Sequence, residues 1–260
     1  MPVFRASGKL VYYAHVPKCG GSSIANYLAD RFGDMGFSDN AYASRPEAQR
    51  WTRSSPQHVD AGTLERLLPL SLFDAMFAVV RHPVQRVTSI YHFQSEVAHT
   101  VAPGTGFSDW LATLRPDAPD APFAYDNHIR PMTQIVPEGA TVFHLEHGLD
   151  ALIGWFDAIA GDSKGPRAIL PENRQGEYLK APVARVQPSA ADMARIAELY
   201  AADFSRFGYS LTRAKPNVAA PVLSSAFLAA RDRALVAANS PWGRLQRKIR
   251  RRMARLGSGL

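Results

Sequence analysis

The chain has 260 residues, 46% of them apolar, and a single cysteine. That suits one sizeable globular core, excludes a disordered or fibrous chain, and leaves no intrachain partner for a disulfide. Net charge is +7, but seven of the 30 basic side chains fall within residues 244–255, and the 23 that remain balance the 23 acidic ones. The body is therefore near neutral, and a general nucleic-acid-binding surface is not expected.

The first informative element is the apolar run at residues 10–14, which reads as a buried strand. It leads into His15-Val16-Pro17-Lys18-Cys19-Gly20-Gly21-Ser22-Ser23, and residues 24–29 read as the first turns of a helix. Strand, glycine turn and helix start form an anion cradle: glycines admit close backbone approach, and free N–H groups at the helix start face the ligand. Lys18 adds a positive charge, and Ser22 and Ser23 add hydroxyl donors. The order of residues excludes two familiar loops. Lys18 precedes the glycines, unlike a Walker A lysine. A phosphatase-type loop would place an arginine six residues after Cys19, where Ala25 stands.

A second apolar run at residues 77–80 ends in Arg81-His82-Pro83-Val84-Gln85-Arg86-Val87-Thr88-Ser89-Ile90-Tyr91. Pro83 suits a helix start, Arg81 stands at the strand end, and Ser89 lies two turns along the helix. Gln57-His58-Val59-Asp60 lies between the two motifs. Downstream come Tyr125-Asp126-Asn127-His128-Ile129-Arg130-Pro131-Met132, then a strand-like segment at residues 141–146, the loop segment 172–178, and an aromatic helix end in which Tyr200, Phe204, Phe207 and Tyr209 read as core. Strands alternating with helical patterns predict an α/β, P-loop-type three-layer fold with a mainly parallel central sheet flanked by helices. In such sheets ligands sit beyond the C-terminal strand ends, where Lys18 and Arg81 both fall.

The order P-K-x-G-G-[ST]-S resembles the 5′-phosphosulfate loop of sulfotransferases that use 3′-phosphoadenosine 5′-phosphosulfate (PAPS). R-[DH]-P-x-x-R-x-x-S-x-Y, about sixty residues on, resembles their 3′-phosphate element. The pair identifies a resemblance to the carbohydrate sulfotransferases related to the heparan sulfate 2-O and chondroitin enzymes, and to their bacterial relatives. It covers roughly residues 10–212. The resemblance implies sulfuryl transfer from PAPS to a hydroxyl, on a carbohydrate, with release of 3′-phosphoadenosine 5′-phosphate (PAP). It places Lys18, Cys19, Gly20, Gly21, Ser22 and Ser23 on the 5′ side of the nucleotide, Arg81 and Ser89 on its 3′-phosphate, and Arg174 in a late loop closing over it. Lys18 and His58 become the catalytic pair, His58 as general base. His128 and Arg130 either shape the acceptor pocket or serve structure. Residues 94–124 are the expected pocket wall.

Cys19 reads as a small residue filling a tight loop, and His15 as structural. His144, Glu146 and His147 suggest a metal cluster at first sight, but their spacing matches no standard site, and no metal is expected. The alternatives are a non-catalytic protein of the same fold that binds PAPS or a polyanion, and a degenerate P-loop kinase. The latter would require a Mg²⁺-binding carboxylate at a strand end.

The chain divides into a catalytic domain at 1–212 and a helical basic tail at 213–260. In the tail, Trp242, Leu245, Ile249, Met253 and Leu256 recur at spacings of three and four, with most of the basic residues around them. Such a helix lies on an anionic membrane, guides a polyanionic glycan, or packs its stripe on the domain. No stretch near Met1 has the length of a signal peptide or membrane anchor, so the expected location is cytoplasmic, with peripheral membrane contact through the tail.

Overall fold

A computed structural model describes residues 1–39, 41–116, 123–172, 185–247 and 249. Arg174, most of its late loop, Lys248 and the tail from residue 250 lie outside the described residues.

Four strands form one sheet in the order β1-β2-β3-β4: β1 (Val3–Ala6), β2 (Lys9–Ala14), β3 (Ala75–Val80) and β4 (Thr141–His144). β1 pairs antiparallel with β2, while β2–β3 and β3–β4 are parallel. The antiparallel β1 was not anticipated from the sequence. β3 reads Ala-Met-Phe-Ala-Val-Val with its last four residues buried, the unbroken apolar pattern of a strand covered on both faces.

The helices are α1 (Gly21–Phe32), α2 (Ala61–Leu67), α3 (Pro83–Glu96), α4 (Phe107–Thr113), α5 (Met132–Ile135), α6 (Asp150–Ala160), α7 (Ala190–Leu199), α8 (Ala201–Arg206) and α9 (Ser225–Asn239). They flank the sheet as expected. Tyr13 and Phe77 are register partners, and their rings stack at 4.7 Å. Phe77 in turn meets Trp155 and Phe156 of α6, and Tyr27 of α1 stacks on Phe156. Leu64 of α2 and Met132 and Ile135 of α5 join the same core. A second core gathers Val87 and Ile90 of α3, Trp110 and Leu111 of α4, and Ile196 and Tyr200 beside them. The middle of the expected pocket wall, α4, thus belongs to this second core.

The parallel register places the ends of β2, β3 and β4 side by side, Ala14 opposite Ala78 and Val80 opposite His144. The segments that follow each strand therefore emerge at one edge. No helix among the described residues is long and apolar enough to cross a membrane.

Candidate active site

At that edge the loop after β2 turns twice through left-handed backbone, at Lys18 (φ 67°) and Gly20 (φ 86°), before α1 begins. Lys18 adopts a conformation that a side chain normally disfavours by about 1–2 kcal/mol. Gly21 is required for a separate reason: a Cβ there would stand 1.8 Å from His15 Nε2. His15, stacked on Tyr13 at 5.1 Å, presses directly on the helix start. Its burial, then His58, hold it well below the usual histidine pKa, so it stays neutral beside the cradle.

Arg81 reaches back across the sheet edge, its Nη1 donating to Lys18 O at 3.3 Å. Its buried Nε has no hydrogen-bond partner among the described residues, and a buried unpaired donor is a place for a ligand acceptor. Lys18 Nζ lies 4.0 Å above the Phe93 ring. Burial, then the like charge of Arg81, push Lys18 down to about 8. Neither cation makes an ion pair among the described residues, so the pair is poised for an anion. The site residues fit a phosphate on these grounds. The Cys19 thiol is fully buried, donates to Pro17 O at 3.6 Å, and is pushed up to about 12 by burial. It is no nucleophile, and only its backbone is left to serve the loop. The Ser23 hydroxyl accepts from Glu172 N at 2.9 Å and so ties the cradle to the segment before the late loop.

Arg86, quoted in the second motif but given no role from sequence, is 1% exposed. Its Nε donates to Pro17 O at 3.2 Å, and its Nη2 to the carbonyls of His128 and Arg130 at 2.8 and 2.9 Å. One side chain therefore braces the phosphate loop against the 125–132 segment. Glu146, after β4, accepts from His82 N and Tyr209 Oη at 2.7 and 2.9 Å. Beside it, His144 Nε2 is bonded to Phe207 O.

His58 ends a short 3₁₀ turn, Pro56–His58, just before Asp60 caps α2 by accepting from Thr63 N. Its Nδ1 lies 2.7 Å from Asp126 Oδ2. Asp126 comes from a left-handed turn of three consecutive non-glycine residues, Tyr125, Asp126 and Asn127, with φ of 55°, 56° and 62°. Each such residue costs about 1–3 kcal/mol. Asn127, fully buried, offsets part of that by donating to His58 O at 2.7 Å. Burial by itself would raise the Asp126 carboxyl, but hydrogen bonds from His58 and Ser55 reverse this and hold it below the usual carboxylate range. An ionised Asp126 can only accept, so His58 presents a proton to it at Nδ1.

The second histidine is set the other way. Thr100 Oγ1 donates to Gln94 Oε1 at 2.6 Å, which turns the Gln94 amide nitrogen toward His128 Nδ1 at 2.9 Å. With the amide in this orientation His128 Nδ1 accepts, which puts its proton on Nε2. Burial, then His58 and Lys18, keep it well below its ordinary pKa and hence neutral. The two rings meet edge to face at 5.1 Å. His58, Asp126 and His128 also present atoms within 4.8 Å of one another, as a cation site would. In that group His58 Nδ1 is paired with Asp126 and His128 Nδ1 with Gln94.

One cleft of about 1480 Å³ is lined by Lys18, Ser22, His58, Arg81, Ser89 and His128. It exceeds the roughly 300–1,000 Å³ of a pocket for one small ligand, leaving room for a nucleotide and an acceptor together. Gln94, Thr100 and Phe123, near the two ends of the expected wall, also line it. Arg130 does not. Its guanidinium is taken up by Asn127, Gln134 and Asp60, in support of the Asp126 turn.

A family model described as the sulfotransferase family matches residues 2–210. Nothing matches significantly among curated proteins or among solved structures. The matched span contains the loop, both basic residues and both histidines, and on that match the chain belongs to the sulfotransferase family.

Proposed function

We propose that the protein moves a sulfuryl group from PAPS to an acceptor hydroxyl on a carbohydrate, with PAP as the second product. The observation that carries this is the His58–Asp126 pair, its free Nε2 in the same cleft as the phosphate cradle. A hydroxyl is a poor nucleophile near neutral pH, and a positioned base must take its proton as the new O–S bond forms. His58 Nε2 is that base. The charge that grows on the departing phosphate oxygen is met by Lys18 and the amides at the start of α1. His128, locked as an Nε2–H donor, supplies a neutral hydrogen bond to the sulfuryl oxygens. Arg81 and Ser89 hold the 3′-phosphate, and Ser22 with the loop holds the 5′ side.

A kinase reading needs a carboxylate free for Mg²⁺ at a strand end. Glu146 has that position, but both its oxygens are engaged. A non-catalytic role is separated by turnover. Incubation with PAPS and a panel of oligosaccharides should release PAP and add the mass of one sulfate to an acceptor. PAP binding without any sulfated product, from PAPS with every acceptor class, would favour the binding-protein alternative.

A further inference from the structure

The C-terminal basic segment lies outside the sulfuryl-transfer chemistry, and its described part has a defined geometry. Helix α9 is joined to the domain: Phe227 packs against the main core, and Arg231 pairs with Asp150 at 2.8 Å. At Ser240 the chain bends and a second helix begins over 241–247. Ser240 caps it, its Oγ accepting from Gly243 N at 3.0 Å and its carbonyl from Arg244 N at 2.9 Å. Gly243 is what allows the sharp bend, because a Cβ there would stand 2.3 Å from Ala237 O. Arg247 donates to Ala238 O and so fastens the second helix to the end of α9.

On this fastened helix Trp242, Leu245 and Ile249 are 66%, 46% and 50% exposed. Their spacings of three and four place them within an arc of about 60°. The packing of the stripe on the domain, one of the sequence alternatives, is thus not what these three residues do. In the same helical register, Arg244 and Arg247 fall on the opposite side.

We propose that this helix is a docking surface for an anionic phospholipid bilayer, with Trp242, Leu245 and Ile249 in the interface and the arginines over the headgroups. The combination selects the partner. A sulfated polysaccharide would satisfy the charges but has nothing apolar to cover the stripe. A second copy would bring seven like charges against seven. A bilayer accepts both faces, and long basic side chains reach its phosphates while their helix lies in the interface. Docking would hold the enzyme at the membrane through a segment distinct from the cleft.

The test is co-sedimentation of the full chain with vesicles of phosphatidylcholine alone and of phosphatidylcholine with phosphatidylglycerol. Binding is expected only with the anionic lipid and should weaken with salt. The triple variant Trp242→Ser, Leu245→Ser, Ile249→Ser keeps every charge and alters only exposed positions, so its melting temperature should match the wild type. Its vesicle binding should fall about tenfold or more. Brominated acyl chains should quench tryptophan emission in the wild type and lose that effect in Trp242→Phe. Equal vesicle binding by wild type and triple variant would overturn the proposal. So would retention on heparin without vesicle binding, or a dimer in solution that the triple variant abolishes.

Discussion

Replacing Asp126 by asparagine tests the catalytic reading at a single atom. Asp126 accepts from Ser55 N through Oδ1, and from Ser55 Oγ and His58 Nδ1 through Oδ2. A backbone N–H can only donate, so the asparagine oxygen must take the Oδ1 place. Its NH₂ then occupies the Oδ2 place and points at His58 Nδ1, while the Ser55 hydroxyl rotates to accept. His58 now has to receive a proton-bearing donor at Nδ1, and its own proton moves to Nε2. The ring keeps its position but has lost the lone pair that faced the acceptor. The expected fall in turnover is about 10²–10⁴, the scale of a lost general base or of a histidine held in the wrong tautomer. PAP affinity should stay within a few-fold, since Asp126 does not touch the phosphate cradle. Nitrogen-15 spectra of the imidazoles give a readout independent of the acceptor: His58 should report Nδ1–H in the wild type and Nε2–H in the variant. His58→Ala should be as damaging alone as in combination with Asp126→Asn, because the second change acts only through the first residue. Turnover in Asp126→Asn within a few-fold of wild type, or losses that multiply in the double variant, would refute the reasoning.

PAP should raise the melting temperature at micromolar concentration and AMP much less, and Arg81→Ala should erase that difference; equal shifts by both ligands in the wild type would remove the 3′-phosphate from Arg81 and Ser89. PAP affinity should be level between about pH 7 and 8 and fall by up to tenfold per pH unit above that, because burial pushes Lys18 down to about 8 and the phosphates, whose second proton leaves near pH 6, are ionised there. The sign follows from the ligand preferring protonated Lys18, whose population in the free protein drops as pH rises; calorimetry across pH 6–10 measures it, and Lys18→Arg should flatten the fall. Arg86→Met leaves three buried carbonyls without their donor. It should cost about 3 kcal/mol or more and lower the melting temperature by about 6–12 °C, as read by circular dichroism.

Both anion-binding motifs were legible in the sequence because each is a punctuated transition. An unbroken apolar run ends, glycine or proline follows, and a helical pattern begins. β2, β3, α1 and α3 lie where those signals stand, although α1 starts at Gly21, three residues before the apolar pattern does. β1 was missed because a four-residue edge strand carrying Arg5 has too little pattern to register. Asp126 was quoted in its motif without a role, since its partner stands 68 residues away. The available signal was the Asp-Asn pair itself, as these residues are enriched in left-handed backbone. Arg86 shows the opposite limit. The sequence assigned it no role between Arg81 and Ser89, and only its burial against carbonyls identifies it as a brace. Arg130 misled in the same way: charge near a catalytic segment does not reveal whether the side chain faces the cleft or the turn behind it.

The two histidines explain why the site contains both. Their rings are 5.1 Å apart in one wall of the cleft, where a charge on either would raise the energy of a charge on the other. The protein resolves this by assigning tautomers through partners of opposite kind. A carboxylate, which can only accept, faces His58; an amide nitrogen, which can only donate, faces His128. His58 therefore presents a proton at its Nδ1 and His128 a lone pair at the same atom. In the proposed reaction His58 would become cationic on taking the acceptor proton, and the ionised Asp126 is already placed beside it. His128 cannot replace it as base, because both of its nitrogens are committed. The strained turn at Tyr125–Asn127 follows from the same requirement. It delivers Asp126 to His58 and His128 to Gln94 from adjacent positions, and Arg86 fixes the carbonyls that follow, so the phosphate loop and both tautomers are held by one connected piece of structure.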